Sequence, residues 1–320
     1  MSSTEPQPPN PPAPPARPRG RTWLAGIIMG DVVAGFLFSI GAVLYNKYNA
    51  LGFLGVPSFF LVPAFGGIAA SYFWRTLYPG IGATCLNTLW MTLVALIMAA
   101  VAFREGAICV LILSPLFYVS ALAGALAGRV FFRMYPPRLN VSLVPVILLA
   151  VLAEPLTRAP REAVVTDEIV IHAPPSKVWP HVTSFPKIPS PPNFWMFRLG
   201  LPYPVATTSS GDFVDADRRC IFSHDAVFKE RVSEIVPMEK LTFEIVESPP
   251  DPELMGHLTP HRGQFLLRAN PDGTTTLVGS SWYTLSVRPL WYFDLWTHHI
   301  FRAVHLRVME DIRRRSEGGI

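Results

Sequence analysis

The stretch EIVIHAPPSKVWPHV, residues 168–182, changes its period halfway along. Its first four residues continue an alternating, β-branched run that begins at Val164, the pattern of a strand with one buried face. Ala173, Pro174 and Pro175 end that run, because proline removes a ladder donor and fixes φ. Ser176, Lys177, Val178 and Trp179 then open a short amphipathic helix. Pro180 falls in its first turn, where an N–H has no intrahelical partner to lose. Such a strand, stop and helix belong to a water-facing domain, whereas the residues before them read as lipid-facing.

The chain of 320 residues is 50% hydrophobic and only 16% charged, too apolar for one soluble domain. The excess is concentrated between Trp23 and Ala153. Four runs there, residues 23–45, 51–74, 81–103 and 107–132, have the length of roughly 20 residues that a spanning helix needs. A fifth, residues 139–153, is short and carries Pro145. It crosses only if Arg138 and Glu154 snorkel to the two interfaces, and otherwise lies in one interface. Arg17, Arg19, Arg21, Arg75, Arg129, Arg133 and Arg138 fall on one side of this arrangement, with Lys47, Arg104 and Glu105 on the other. The excess of basic residues makes the N-terminus cytoplasmic in an inner-membrane protein. A crossing fifth run puts the soluble domain outside, which is the expectation adopted.

Within the spans, Gly26 with Gly30 and Gly124 with Gly128 have the four-residue spacing that lets helix backbones approach. Asp31 is the acidic residue set well inside a span, with Asn87 as its only prospective partner. A lone carboxylate fits a hydrogen bond between helices better than an ion path. The first 21 residues are Pro-rich and too poor in large apolar groups to fold, so they read as a disordered tail. Arginine clusters without interleaved aromatics give no basis for a nucleic-acid partner. Cys85, Cys109 and Cys220 form no CxxC pair and read as buried hydrophobes.

Beyond a Pro-rich segment, residues 186–204, strands follow in quick succession at 219–223, 226–236, 241–246, 263–269 and 274–287. Asp272-Gly273 marks a tight hairpin, since glycine supplies the positive φ such a turn requires. From Pro289 the apolar residues Phe293, Trp296, Ile300, Val304, Val308 and Ile312 recur at helical spacing, so a long helix lays one stripe across the sheet. A curved sheet around one helix leaves an apolar gap between them.

These pieces resemble the START-like, helix-grip superfamily, also called SRPBCC or polyketide cyclase and dehydrase type. The resemblance rests on EIVIHAPPSKVWPHV, on FKERVSEIVPMEKLTFEI, on GQFLLRANPDGTTTLVGSSWYTL, and on RPLWYFDLW followed by HLRVMEDIRRRSE, in that order. The expected fold class is therefore α+β: an N-terminal α-helical transmembrane bundle of four or five spans, then a helix-grip domain, a curved antiparallel sheet wrapped around a long C-terminal helix. The boundaries are a tail at 1–21, a bundle at 22–153, a linker at 154–163 and the domain at 164–317. The membrane half is similar to anchors attached to some bacterial members. What the resemblance implies is a cavity for a hydrophobic or polycyclic ligand. It implies no particular reaction, because the fold hosts carriers, cyclases, hydroxylase domains and chaperone activators alike.

Polar groups able to do chemistry in such a cavity are His224, Glu230, Glu244, His257, His261 and His305. His305 lies four residues from Phe301 and from Met309, beside the apolar stripe. Glu230 alternates with Phe228 and Val232, which would point it inward, but Lys229, Arg231 and Glu234 around it favour a solvated face with cross-strand charge pairs. His257 and His261 bracket a loop containing Pro260, and His298 and His299 diverge on a helix, so no metal site is expected. No serine elbow, HExxH or phosphate loop occurs, and no cofactor is called for. His305 and Glu230 are the catalytic candidates, and Trp282, Phe301, His305, Met309 and Phe243 the ligand-binding ones. Three functions follow: a membrane-tethered module binding a lipid, quinone, isoprenoid or polycyclic metabolite; a cyclase- or aromatase-like enzyme using His305 or Glu230; and an anchored interaction or stress-response protein. The thin polar signal favours the first.

Overall fold

A computed structural model describes residues 19–48, 57–77, 80–103, 106–134, 161–251 and 258–318. The fifth apolar run, most of the linker and His257 lie outside these residues.

The first half is helical: α1 (Arg19–Tyr48), a π-turn at Pro57–Leu61 running into α2 (Val62–Trp74), α3 (Ile81–Phe103) and α4 (Ala107–Met134). Three of these helices, α1, α3 and α4, contain segments long and apolar enough to cross a membrane. Glycines decide how they pack. A Cβ on Gly124 would stand 1.9 Å from the Ala64 carbonyl oxygen, and one on Gly67 2.0 Å from that of Ala121. Backbone therefore meets backbone along α2 and α4, the contact that small residues permit between apolar helices. Gly30 faces Gly66 in the same way, and Gly26 takes the Trp74 ring. The GxxxG spacings thus serve packing within the chain. Asn87 is engaged by the Trp23 indole N–H at 2.9 Å rather than by Asp31, whose Oδ2 is buried with no hydrogen-bond partner among the described residues.

The contacts fix the directions of the helices. Gly124 meets Ala64 and Gly128 meets Ser71, so α2 and α4 run parallel, while Gly26 meeting Trp74 sets α1 antiparallel to them. The ends bearing Arg19, Arg21, Arg75, Arg129 and Arg133 accordingly gather at one end of the bundle. The starts of α2 and α4 lie at the other.

The second half is a seven-stranded antiparallel sheet in the order β1-β7-β6-β5-β4-β3-β2. Its strands are β1 (Arg161–Ile171), β2 (Pro204–Ser209), β3 (Asp217–Phe222), β4 (Val227–Val236), β5 (Lys240–Glu247), β6 (Leu258–Ala269) and β7 (Thr275–Leu285). Between β1 and β2 come α5 (Pro175–Thr183) and the single turn α6 (Trp195–Arg198), and α7 (Leu290–Ser316) closes the chain. Six strands form a meander, and β1 adds itself beside β7 along their full lengths. Gly273 adopts φ 83° in the β6–β7 hairpin, as the Asp-Gly pair requires.

Two departures from the sequence reading share a cause, which is proline tolerated at an irregularity. Residues 204–209 form a strand despite Pro204, because the β2–β3 register shifts there. β6 begins at Leu258 and runs through Pro260 because a bulge between Pro260 and Arg262 absorbs the missing donor. His261 is hence a strand residue, its Nε2 2.6 Å from the Thr284 hydroxyl.

The inner stripes of the strands and of α7 form the core. Ile171, Val178, Val182, Leu241, Leu267, Leu277, Met309 and Ile312 pack together at the C-terminal end of α7. Each fully buried aliphatic chain there stabilises by about 1.5–3 kcal/mol. A second cluster at the other end joins Val165, Tyr283, Leu285 and Phe293 to Phe59, Ile108, Ile112 and Leu116 of the bundle. The Phe59 and Phe293 rings lie 5.6 Å apart, and the Tyr292 hydroxyl donates to the Ile112 carbonyl at 2.6 Å. The sheet-and-helix domain thus sits against the starts of α2 and α4, the end of the bundle away from the arginines.

Candidate functional site

Between the two clusters the sheet and α7 do not meet, leaving a cavity of about 150 Å³. A void of that size, lined by apolar residues, accepts a molecule the size of benzene. Phe228, Phe243, Phe265, Ile300, Phe301 and Val304 belong to its apolar wall. Glycine occupies two inward positions of the floor, where it makes room for the side chains packed over it. A Cβ on Gly263 would strike the Phe243 ring at 2.4 Å, and one on Gly279 would meet the Met309 sulfur at 3.0 Å.

Two polar groupings interrupt this wall. The first joins Arg218 of β3 to Glu230 of β4, neighbours across the ladder. Their side chains are 3% and 5% exposed, and the Arg218 Nη1 donates to Glu230 Oε2 at 2.7 Å. Arg218 also stacks on the Phe243 ring at 4.3 Å and reaches the Val182 and Thr183 carbonyls at the end of α5. Burial pushes the Glu230 carboxyl upward, and the charge and hydrogen bond of Arg218 oppose that rise. The sequence-based preference for a solvated Glu230 does not hold: it shares the inner face with Phe228 and Val232, while Lys229, Arg231 and, beyond a bulge, Glu234 make the outward pairs, with Glu247, Asp217 and Lys240. Cys220, beside this pair, is pushed up to about 12, chiefly by burial. It remains a thiol and unreactive at neutral pH.

The second grouping comes from three elements. His305 on α7 has its Nε2 2.8 Å from the Ser281 hydroxyl of β7 and its Nδ1 2.9 Å from Oδ2 of Asp167 on β1. The other carboxylate oxygen of Asp167 accepts from Arg302, three residues before His305 on α7, at 3.0 Å. Burial works to raise the Asp167 carboxyl, but the hydrogen bond and charge of His305, with Arg302 and His298 beyond, hold it below its usual range. Asp167 therefore contributes stability that is complete above pH 3.8, the ordinary carboxylate value, and is lost as pH falls through its lowered folded value. Asp167→Asn should cost about 1.5–3 kcal/mol at neutral pH, the worth of a charged hydrogen bond. Thermal melts of the two proteins should converge below pH 3.8, and a gap that stays constant into acid would contradict the charged assignment.

Of the expected ligand-binding residues, Phe243, Phe301 and His305 line the cavity, as does Glu230. Met309, fully buried on α7, packs its sulfur over Gly279 and does not line the cavity. Trp282 is not on this face: strand alternation turns it to the outside, where Arg262 stacks on its ring at 4.1 Å. Glu244, His224, His298 and His299 are exposed. Ser281, Asp167 and Arg218 were not anticipated. Asp167 did leave a signal, being an acid in the inward stripe Val165, Asp167, Ile169, Ile171.

No family model and no curated protein matches this chain. Among solved structures it is similar to a structural-genomics protein from Nitrosospira multiformis, at 17% identity and TM-score 0.35, over 49% of this chain and 97% of that one. It is also similar to truncated norcoclaurine synthase from Thalictrum flavum, at 12% identity and TM-score 0.34, over 49% and 95%. A protein from Bacillus cereus aligns at 18% identity and TM-score 0.33, over 48% and 94%. The architecture itself, a curled antiparallel sheet closed by one long helix over an internal cavity, defines a helix-grip domain preceded by a helical bundle.

Proposed function

We propose that this protein is a membrane-tethered binding module, in which the cavity between sheet and α7 holds a small hydrophobic molecule or the ring of a larger one. The observation that carries this reading is an apolar cavity with two defined polar fixtures, Arg218–Glu230 and Ser281–His305, on its wall. Apolar surface supplies affinity in such sites, and a few placed polar groups supply orientation. Membership of the START-like superfamily is part of the proposal and agrees with the order of elements.

The packing also supports a bilayer setting. The cluster that includes Phe59, Ile108 and Ile112 continues through Phe293, Trp296 and Ile300 to Phe301 and Val304 at the cavity. An apolar seam hence runs from the starts of α2 and α4 to the binding space. Trp291 and Leu295, 70% and 67% exposed, flank that seam on α7. At the bundle end they occupy the depth where aromatic belts meet lipid headgroups.

Orientation is part of the same proposal. From Ile112, which touches the domain, to Met134 is about 33 Å of helix at 1.5 Å per residue, the thickness of a hydrocarbon core. The chain leaves α4 at the arginine-rich end and re-enters the described fold at the opposite one. Residues 139–153 lie outside the described residues; the reading keeps them as a crossing segment, with the domain outside the cytoplasmic membrane and the N-terminus inside.

Small neutral aromatic compounds test the reading. At a hundredfold excess over Kd, a ligand specific for the native state stabilises it by about 2.7 kcal/mol, so the melting temperature of the full chain in detergent should rise by several degrees. Val304→Trp, which fills the cavity from α7, should abolish the rise while leaving the fold intact. An equal rise in both proteins would place binding elsewhere.

A further inference from the structure

We propose that Ser281, His305 and Asp167 form a nucleophilic centre that takes the acyl group of small activated esters, a deepening that rests on the binding reading of the same cavity. The geometry has the polarity such chemistry requires. Asp167 faces Nδ1 at 2.9 Å and Ser281 faces Nε2 at 2.8 Å. With the proton on Nδ1 directed to the carboxylate, Nε2 presents its lone pair to the serine hydroxyl. Arg302, 3.0 Å from the second carboxylate oxygen, keeps Asp167 charged and fixed.

The arrangement is more than a way of satisfying buried polar groups. Tyr283, the next inward residue of β7, donates to Asp294 at 2.7 Å, and that pair is not part of the cavity wall. The chain from Asp167 instead ends at the cavity, which both His305 and Ser281 line. Ser281 is also flanked on the floor by two glycines, Gly279 two residues before it and Gly263 opposite it on β6. The Phe243 ring and the Met309 sulfur lie over these glycines, so a ligand carbonyl reaches the hydroxyl from the cavity that Ser281 lines rather than across them.

The first step forms a bond from Ser281 Oγ to the acyl carbon as the hydroxyl proton passes to His305 Nε2. Collapse breaks the bond to the leaving group, and the phenol or thiol departs with that proton. Water then attacks the acyl-serine, giving its proton to Nε2, and the acid leaves as Ser281 recovers a proton from His305. β7 is laddered on both sides of Ser281, to Val165 and to Gly263, so its backbone offers no free pair of N–H donors for the oxyanion. This restricts the substrate class to aryl or thioesters of small acids, whose leaving groups need the least assistance. The cavity admits one ring of that size.

The full chain in detergent, cleared of any carried ligand, is treated with a small alkyl fluorophosphonate. Attack by Ser281 forms the O–P bond, breaks P–F and releases fluoride. One adduct is expected by intact mass, at Ser281 by peptide mapping, with the rate falling about a hundredfold or more in His305→Gln, the lower range of general-base contributions. Mapping on the wild-type chain decides the site even if Ser281→Ala does not fold. An adduct elsewhere, or a rate unchanged in His305→Gln, overturns the proposal. The aromatic thermal shift is measured on the same sample: a shift without an adduct overturns the nucleophile alone, and absence of both overturns the binding reading with it.

Discussion

Glu230→Ala will destabilise the sheet-and-helix domain by about 3–5 kcal/mol, the range for a buried ion pair stripped of one partner. The reason is the cation left behind. Arg218 is 3% exposed, and its carboxylate partner sits at 2.7 Å. Its remaining partners are two carbonyls at 3.4 Å and the face of Phe243. These do not replace a charge. For a domain of this size each kcal/mol corresponds to about 2–4 °C, so a fall near 10 °C is expected in thermal melts. Replacing both partners by apolar residues, Arg218→Met with Glu230→Leu, should recover most of the loss, because the pair's desolvation penalty vanishes with its attraction. A single-variant loss below about 1 kcal/mol would show that water reaches Arg218, in conflict with the burial described.

In the bundle, Gly124→Leu should be the most damaging single change. Even the first carbon of the new side chain would stand 1.9 Å from the Ala64 carbonyl oxygen. That atom is backbone, so α2 and α4 must separate along the face where Gly67 and Gly128 also meet their partners. Overpacking at such contacts costs about 1–3 kcal/mol or more, and here the displacement extends to the Phe59 and Ile112 contacts with the domain. The expected readout is loss of a monodisperse detergent-extracted species and early thermal aggregation. Gly35→Leu is the control, because nothing lies within 4 Å of a Cβ there. Equal behaviour of the two variants would remove the close α2–α4 approach from the account.

What the sequence disclosed and what it hid follow from the range of the interactions. Alternation and turn residues are local, so the β4–β5 and β6–β7 hairpins, the β1–α5 transition and the stripe of α7 were legible. Glu230 was misjudged because its charged neighbours are local while Arg218 is twelve positions away on another strand. The Ser281–His305–Asp167 chain joins residues 24 and 138 positions apart, and only the strand order that sets β1 beside β7 brings them together. Trp282 was placed in the cavity because a large aromatic in a strand suggests a core. Alternation alone decides the face, and Ser281 and Tyr283 hold the inner one. Proline misled twice, at Pro204 and Pro260, since its prohibition in sheets lapses at bulges.

The proposed function puts a hydrophobic molecule in the space between the sheet and α7 of a membrane-held protein. Native mass spectrometry of the full chain, released from its membrane in mild detergent, reads this directly. A mass excess of one small hydrophobic molecule per chain is expected, absent from Val304→Trp prepared in parallel. A chain that is empty across growth conditions, or an excess that Val304→Trp retains, would contradict it.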